Sequence, residues 1–146
     1  LLDSSEHYHN AHKNFKTHGI KLDNLSVDFV QMVNRKTEVV DGICKGVEFL
    51  MKKNKIDVYV GHGSFVDKNT IQVTEKADAS KVLHTIQTDR TIIATGSKPV
   101  TPAPFNYDKQ RIITSTEALK LPEVPKSMIV IGAGVIGVEL GSVYAH

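Results

Sequence analysis

Apolar positions recur along this chain at three different periods, and each period marks a kind of element. Leu1, Leu2, Ser5, Tyr8, His12 and Phe15 fall on one helical face, followed by His18-Gly19-Ile20, which supplies a terminal cation, a glycine suited to a left-handed cap and an apolar contact. A helix over residues 1–18 is predicted. Asp23 to Ser26 reads as a turn with capping residues, and from Val27 the positions Val30, Val33, Val40, Ile43, Val47 and Leu50 keep helical spacing through Met51. The pattern then switches to alternation in Ile56-Asp-Val-Tyr-Val60, which predicts a strand interrupted by Gly61-His-Gly63. Ser64 to Val66, Ile71 to Val73 and Val82 to Ile86 are short strands around an Asp67-Lys-Asn-Thr70 turn, so an antiparallel meander is expected over residues 64–90. Thr91-Ile-Ile-Ala-Thr-Gly-Ser97 reads as a short, largely apolar strand that ends in a glycine turn, and Met128 to Ile131 before Gly132 is a second, continuously apolar run, as expected of a parallel strand buried on both faces. Between them Pro99, Pro102 and Pro104 break regular structure, Thr114-Ser-Thr-Glu117 caps a short helix through Leu119, and Pro122 and Pro125 close a linker.

The glycines after the second run carry the chemistry. Gly132, Gly134 and Gly137 have the G-x-G-x-x-G spacing, placed between an apolar strand and a helical pattern through Val135, Val138 or Glu139, Ser142 and Val143. In a dinucleotide cradle the first glycine makes the tight turn, the second lets backbone approach a pyrophosphate, and the third lets helix pack on strand, with helix amides aimed at the anion. The acidic residue that would hold an NAD ribose is expected about 20 residues further on, past His146. The chain also opens in what reads as helix interior, so a piece of a longer protein is expected.

Composition excludes more than it selects. The net charge of +2 with 23% charged residues describes an ordinary surface without a basic block, and no apolar run approaches a membrane span, so neither nucleic acid nor membrane is expected as a partner. His7, His9, His12 and His18 invite a metal reading, but only His9 and His12 share a face and no thiolate or paired carboxylate completes a set. Cys44, the single cysteine, reads as a small buried hydrophobe in mid-helix. Gly42 and Gly46, four apart on the long helix, admit either close approach by backbone or ligand, or plain helix packing.

In order, Leu1-Leu-Asp-Ser-Ser-Glu6, Phe49-Leu-Met-Lys-Lys-Asn-Lys55, Gly61-His-Gly-Ser-Phe65, Ile92-Ile-Ala-Thr-Gly-Ser-Lys-Pro99, Ser115-Thr-Glu-Ala-Leu119 and Val130-Ile-Gly-Ala-Gly-Val-Ile-Gly-Val-Glu-Leu-Gly141 resemble the flavin-dependent pyridine nucleotide-disulfide oxidoreductases, within them the dihydrolipoamide dehydrogenases. The resemblance spans essentially the whole chain. It implies an α/β fold: part of a Rossmann-like FAD domain with an antiparallel β-meander over residues 1–98, a linker with a short helix over 99–126, and the first strand-turn-helix of a Rossmann NAD domain over 127–146. By the same comparison Gly63, Thr95, Gly96 and Ser97 match FAD-contacting positions, and Gly132, Ala133, Gly134, Val135, Ile136, Gly137, Val138 and Glu139 match the NAD turn. Glu139 matches a carboxylate near the flavin; an acid stabilised in the first turns of a helix is the alternative.

The implied activity of the parent is oxidation of protein-bound dihydrolipoamide, with electrons passing through a redox disulfide and FAD to NAD. The implied partners are lipoyl domains of 2-oxo acid dehydrogenase complexes or of the glycine cleavage system, and a second copy in a homodimer. The implied compartment is the cytoplasm in a bacterium or the mitochondrial matrix in a eukaryote. The family's cysteine pair and its histidine-glutamate pair match no position here, so no catalytic residue is assigned and the chain alone is expected to be inactive. Two other readings stay open: another FAD/NAD(P) flavoprotein, such as a transhydrogenase or other disulfide reductase, and a non-catalytic interaction fragment.

Overall fold

The computed structural model describes residues 1–145; His146, the last residue of the segment expected over 127–146, lies outside them. The fold is α/β. Its elements run α1 (Leu2–Lys13), α2 (Phe29–Lys53), β1 (His62–Phe65), β2 (Thr70–Thr74), β3 (Val82–Gln87), α3 (Ser115–Ala118) and α4 (Val135–Ala145). The chain forms two compact units, one of Leu1–Gly42 with the chain from Lys98 onward, the other Ile43–Ser97.

In the first unit α1 packs against α4, and α3 packs against α4 as well. Ser5 of α1 is buried, and its hydroxyl donates to the Leu2 carbonyl at 2.9 Å, so the polar atom is satisfied within its own helix. The helix predicted over residues 1–18 tightens after Lys13 into a 3-10 turn, Phe15–His18. Gly19 then caps it at φ 77°, with the Gly19 amide on the Lys16 carbonyl at 3.1 Å and the Ile20 amide on Phe15 at 3.1 Å. The paired bonds are the reason a glycine stands there, because a left-handed residue with a Cβ is strained.

The start of α2 lies later than expected. Its cap is Asp28, whose Oδ1 accepts from the Gln31 amide at 2.9 Å, rather than a residue of Asp23 to Ser26. Asp23, Asn24, Ser26 and Asp28 are all cap formers, and Asp28 stands immediately before the first helical residue. The C-terminus closes without glycine: Lys55 takes φ 55°, and the Ile56 amide reaches back to the Met51 carbonyl at 3.0 Å. Gly42 and Gly46 meet no close approach, since nothing lies within 4 Å of a Cβ built on either.

The second unit holds the expected meander, a three-stranded antiparallel sheet in the order β1-β2-β3. Gly63 pairs with Val73, Ile71 with Ile86, and the register slips between Val73 and Thr74. Asp67 builds the β1-β2 turn by accepting from the Asn69 amide at 2.8 Å and the Thr70 hydroxyl at 2.8 Å. Val73, Thr70 and Thr74 of the central strand are buried.

Three predicted strands are not formed. Residues 56–60, 91–97 and 127–131 enter no ladder among the described residues. Ile92 and Ile129 are each 92% exposed, for Ile129 the opposite of the burial on both faces expected of its run. A parallel strand exists only through neighbours distant in sequence, and no described strand lies in register beside these runs. Cys44 is likewise exposed rather than buried.

Candidate dinucleotide-binding turns

Ser127 to Ile131 leads into Gly132, whose φ of +98° is open to glycine and strained for any residue with a Cβ. The chain reverses there and α4 begins at Val135, with the Val138 amide on the Gly134 carbonyl at 3.0 Å closing its first turn. The amides of Val135, Ile136 and Gly137 thus belong to the turn that has no acceptor within the helix, the arrangement that receives anions. Gly134 faces open space, with nothing within 4 Å of a built Cβ. Gly137 is the reverse case: a Cβ there would stand 3.1 Å from Val130 Cγ1 and 3.3 Å from the Gly132 carbonyl oxygen. The three glycines therefore do three separable things, a left-handed turn, an open approach and a tight helix contact. The open side of Gly134 leaves its backbone accessible, as close approach of a pyrophosphate requires. Ala133, Val138 and Glu139 are exposed along the same turn and helix start, and the Glu139 carbonyl accepts from the Ser142 hydroxyl at 2.7 Å.

The other predicted site residues lie in the second unit. Gly96 takes φ +74°, so the Thr95-Gly96-Ser97 bend also requires glycine, and all three residues are exposed. Gly63 sits in β1 with its Cα side open, as nothing lies within 4 Å of a built Cβ. Gly61, by contrast, is held against β2: a Cβ there would stand 2.5 Å from the Thr74 carbonyl oxygen and 2.5 Å from Val73 Cγ1.

Two contacts beside α4 were not visible in the sequence. The Tyr144 hydroxyl donates to the Ala118 carbonyl, and its ring stands 5.9 Å from that of Phe29. Burial pushes the Tyr144 phenol up from its ordinary pKa. These two rings also line an apolar cleft of about 210 Å³ with Tyr8, Met32 and Val143. Glu117 holds the short helix before α4. Its carboxylate accepts from the Thr114 amide at 2.9 Å, the Thr114 hydroxyl at 2.7 Å and the Tyr107 hydroxyl at 2.8 Å, in that order of effect, and its pKa is lowered to about 2. Among the described residues, no group of three or more His, Cys, Asp or Glu could hold a metal ion, and no helix is long and apolar enough to cross a membrane.

A glycine turn of this shape, opening a helix after an apolar run, is the arrangement that dinucleotide-binding α/β folds use. The chain belongs to the pyridine nucleotide-disulphide oxidoreductase family, whose model matches residues 1–146. It is 44% identical over its whole length to dihydrolipoyl dehydrogenase of Trypanosoma brucei brucei, covering 30% of that protein. It is 42% identical over its whole length to dihydrolipoyl dehydrogenase of Geobacillus stearothermophilus, of which it covers 30%. Over the same span it is 41% identical to leghemoglobin reductase of Vigna unguiculata, covering 27%. The chain thus spans less than a third of the length of these relatives.

Proposed function

We propose that this chain is part of an NAD-dependent dihydrolipoyl dehydrogenase, in which residues 1–98 belong to the FAD domain, 99–126 to the linker and 127–146 to the opening of the NAD domain. The observation that carries this reading is the whole-chain likeness to dihydrolipoyl dehydrogenases at 42 to 44% identity, joined to a glycine turn whose three positions differ as a dinucleotide cradle requires. Bound FAD and NAD would supply the hydride chemistry. The residues of this chain bind and orient. Gly132 to Val138 form the NAD pyrophosphate turn, with the amides of Val135 to Gly137 facing its charge, and Glu139, at the end of the same run, stands near the flavin. Gly63 and Thr95 to Ser97 hold FAD. Cys44 is the one cysteine here, so the thiol pair that exchanges electrons with substrate lies outside these residues and the chain alone is inactive. The whole protein acts on lipoyl domains of a 2-oxo acid dehydrogenase complex or the glycine cleavage system and works as a homodimer. Its compartment is the mitochondrial matrix in a eukaryote or the cytoplasm in a bacterium.

A second reading, another flavin-dependent reductase of the same family, is favoured by the leghemoglobin reductase relative. One measurement separates the two. The whole protein is purified and mixed anaerobically with dihydrolipoamide, and its flavin absorbance is followed before and after NAD is added. Rapid bleaching with NADH formation supports the first reading. A yellow protein that dihydrolipoamide fails to reduce overturns it in favour of the second, and a colourless protein overturns both.

A further inference from the structure

Helix α4 carries the candidate NAD turn at its first residue and is held at two points along its length. Near its start Gly137 lies so close to Val130 that a Cβ would stand 3.1 Å from Cγ1. Near its end Tyr144 is fixed on both sides, its hydroxyl donating to the Ala118 carbonyl and its ring beside that of Phe29 at 5.9 Å, while the neighbouring Val143 is buried. Two points define a direction. From this geometry we infer that Tyr144 is a positioning residue for nicotinamide dinucleotide binding, acting through the tilt of α4 on the amides of Val135 to Gly137. The inference rests on the assignment of Gly132 to Val138 to NAD and goes beyond it, because Tyr144 does not belong to the turn.

The lever is long enough to matter. With Gly137 held, the helix pivots there when its far end is released; it rises about 10 Å from Gly137 to Tyr144, so a shift of about 1 Å at Tyr144 turns the first-turn amides by about 6°. Hydrogen bonds from amide to phosphate weaken as they turn away from linear. The residue that holds the far end therefore acts on the near end without touching ligand. The Ala118 carbonyl lies at the end of α3, immediately after the Thr114–Glu117 capping box, so the anchor on which Tyr144 pulls is itself fixed.

The test uses the whole flavin-loaded protein, with NADH as the probe. Tyr144→Phe removes the hydroxyl and keeps the ring; Phe29→Leu removes the ring contact and keeps the hydroxyl. Each should raise the Kd and KM for NADH by about 3- to 10-fold, the scale of one lost hydrogen bond or ring contact, with kcat at saturating NADH and the flavin spectrum unchanged. Gly134→Val serves as the control for the turn itself and should abolish NADH binding. If Gly134→Val loses NADH while both anchor variants bind it as tightly as the parent, the inference on Tyr144 falls and the turn assignment stands. If Gly134→Val binds NADH normally, the turn assignment falls and takes the inference with it. If Tyr144→Phe fails to fold, Phe29→Leu decides alone: a raised KM with unchanged kcat supports the anchor, and an unchanged KM overturns it.

Discussion

Gly61 and Gly63 stand two residues apart and make opposite demands. A side chain at Gly61 would collide with the Thr74 carbonyl and Val73 Cγ1, each 2.5 Å away, and backbone cannot turn aside as a flexible side chain does. Gly61→Ala should therefore destabilise the whole protein by about 1 to 3 kcal/mol, the usual range for overpacking, whereas Gly63→Ala, whose Cβ meets no protein atom, should leave the melting temperature of the flavin-free protein within error. Chemical denaturation of the two variants side by side decides this, and equal midpoints would mean the approach at Gly61 is looser than described. Gly96 poses a different question. It sits at φ +74° facing open space, so Gly96→Val combines backbone strain with a side chain placed where FAD is proposed to lie. We expect the purified variant to lose its yellow colour, while Gly96→Asn, which tolerates a left-handed backbone, keeps the melting temperature nearer the parent. A full flavin complement in Gly96→Val after gel filtration would leave Gly96 as a turn residue alone.

At the scale of elements, the short helix α3 depends on its capping box. Glu117 accepts from the Thr114 amide and hydroxyl and from Tyr107, which lowers its pKa from 4.5 to about 2. A carboxyl lowered on folding contributes stability that is fully present above its unfolded value and is lost as pH falls towards its folded one. Glu117→Gln should thus melt below the parent at about pH 7, with the gap shrinking between about pH 4.5 and pH 2. A gap that stays constant over that window would show that Glu117 is held by shape and not by charge. Thr114→Ala, which removes both the cap and a donor to Glu117, should cost about 1 kcal/mol at about pH 7 and less as Glu117 becomes protonated. The capping box, the Gly19 cap and the meander were all legible in the sequence because each is written in residues within a few positions of one another. The closure of α2 at Lys55 was not, since a lysine in the left-handed region carries no signal, nor was the choice of Asp28 among several nearby cap formers. Tyr144 was missed for a related reason: its partner Ala118 offers only a carbonyl, which every residue has.

At the scale of the molecule, the largest departure from expectation is the exposure of the two apolar runs that end in glycine turns. Both were expected to be strands and neither forms one: a parallel ladder is made by segments far apart in sequence, and the described residues contain none that pairs with them. The glycine turn after Ile131 nevertheless folds locally, which places Glu139 on the exposed side of α4 two residues beyond Gly137. Two accounts of this carboxylate make opposite predictions. If, as proposed, it stands near the flavin in the whole protein, its charge bears on hydride transfer, and Glu139→Gln should slow reduction of the flavin by NADH while the melting temperature holds. If it only stabilises the first turns of α4, the same variant should lose about 0.3 to 1 kcal/mol of stability and reduce its flavin at the parent's rate. Gln keeps the size and removes the charge, so packing is not in question. Rapid-mixing reduction with saturating NADH, set beside thermal melts of both proteins, distinguishes the two. We expect a slower reduction with matched melts, and equal rates with a lowered melt would remove Glu139 from the site.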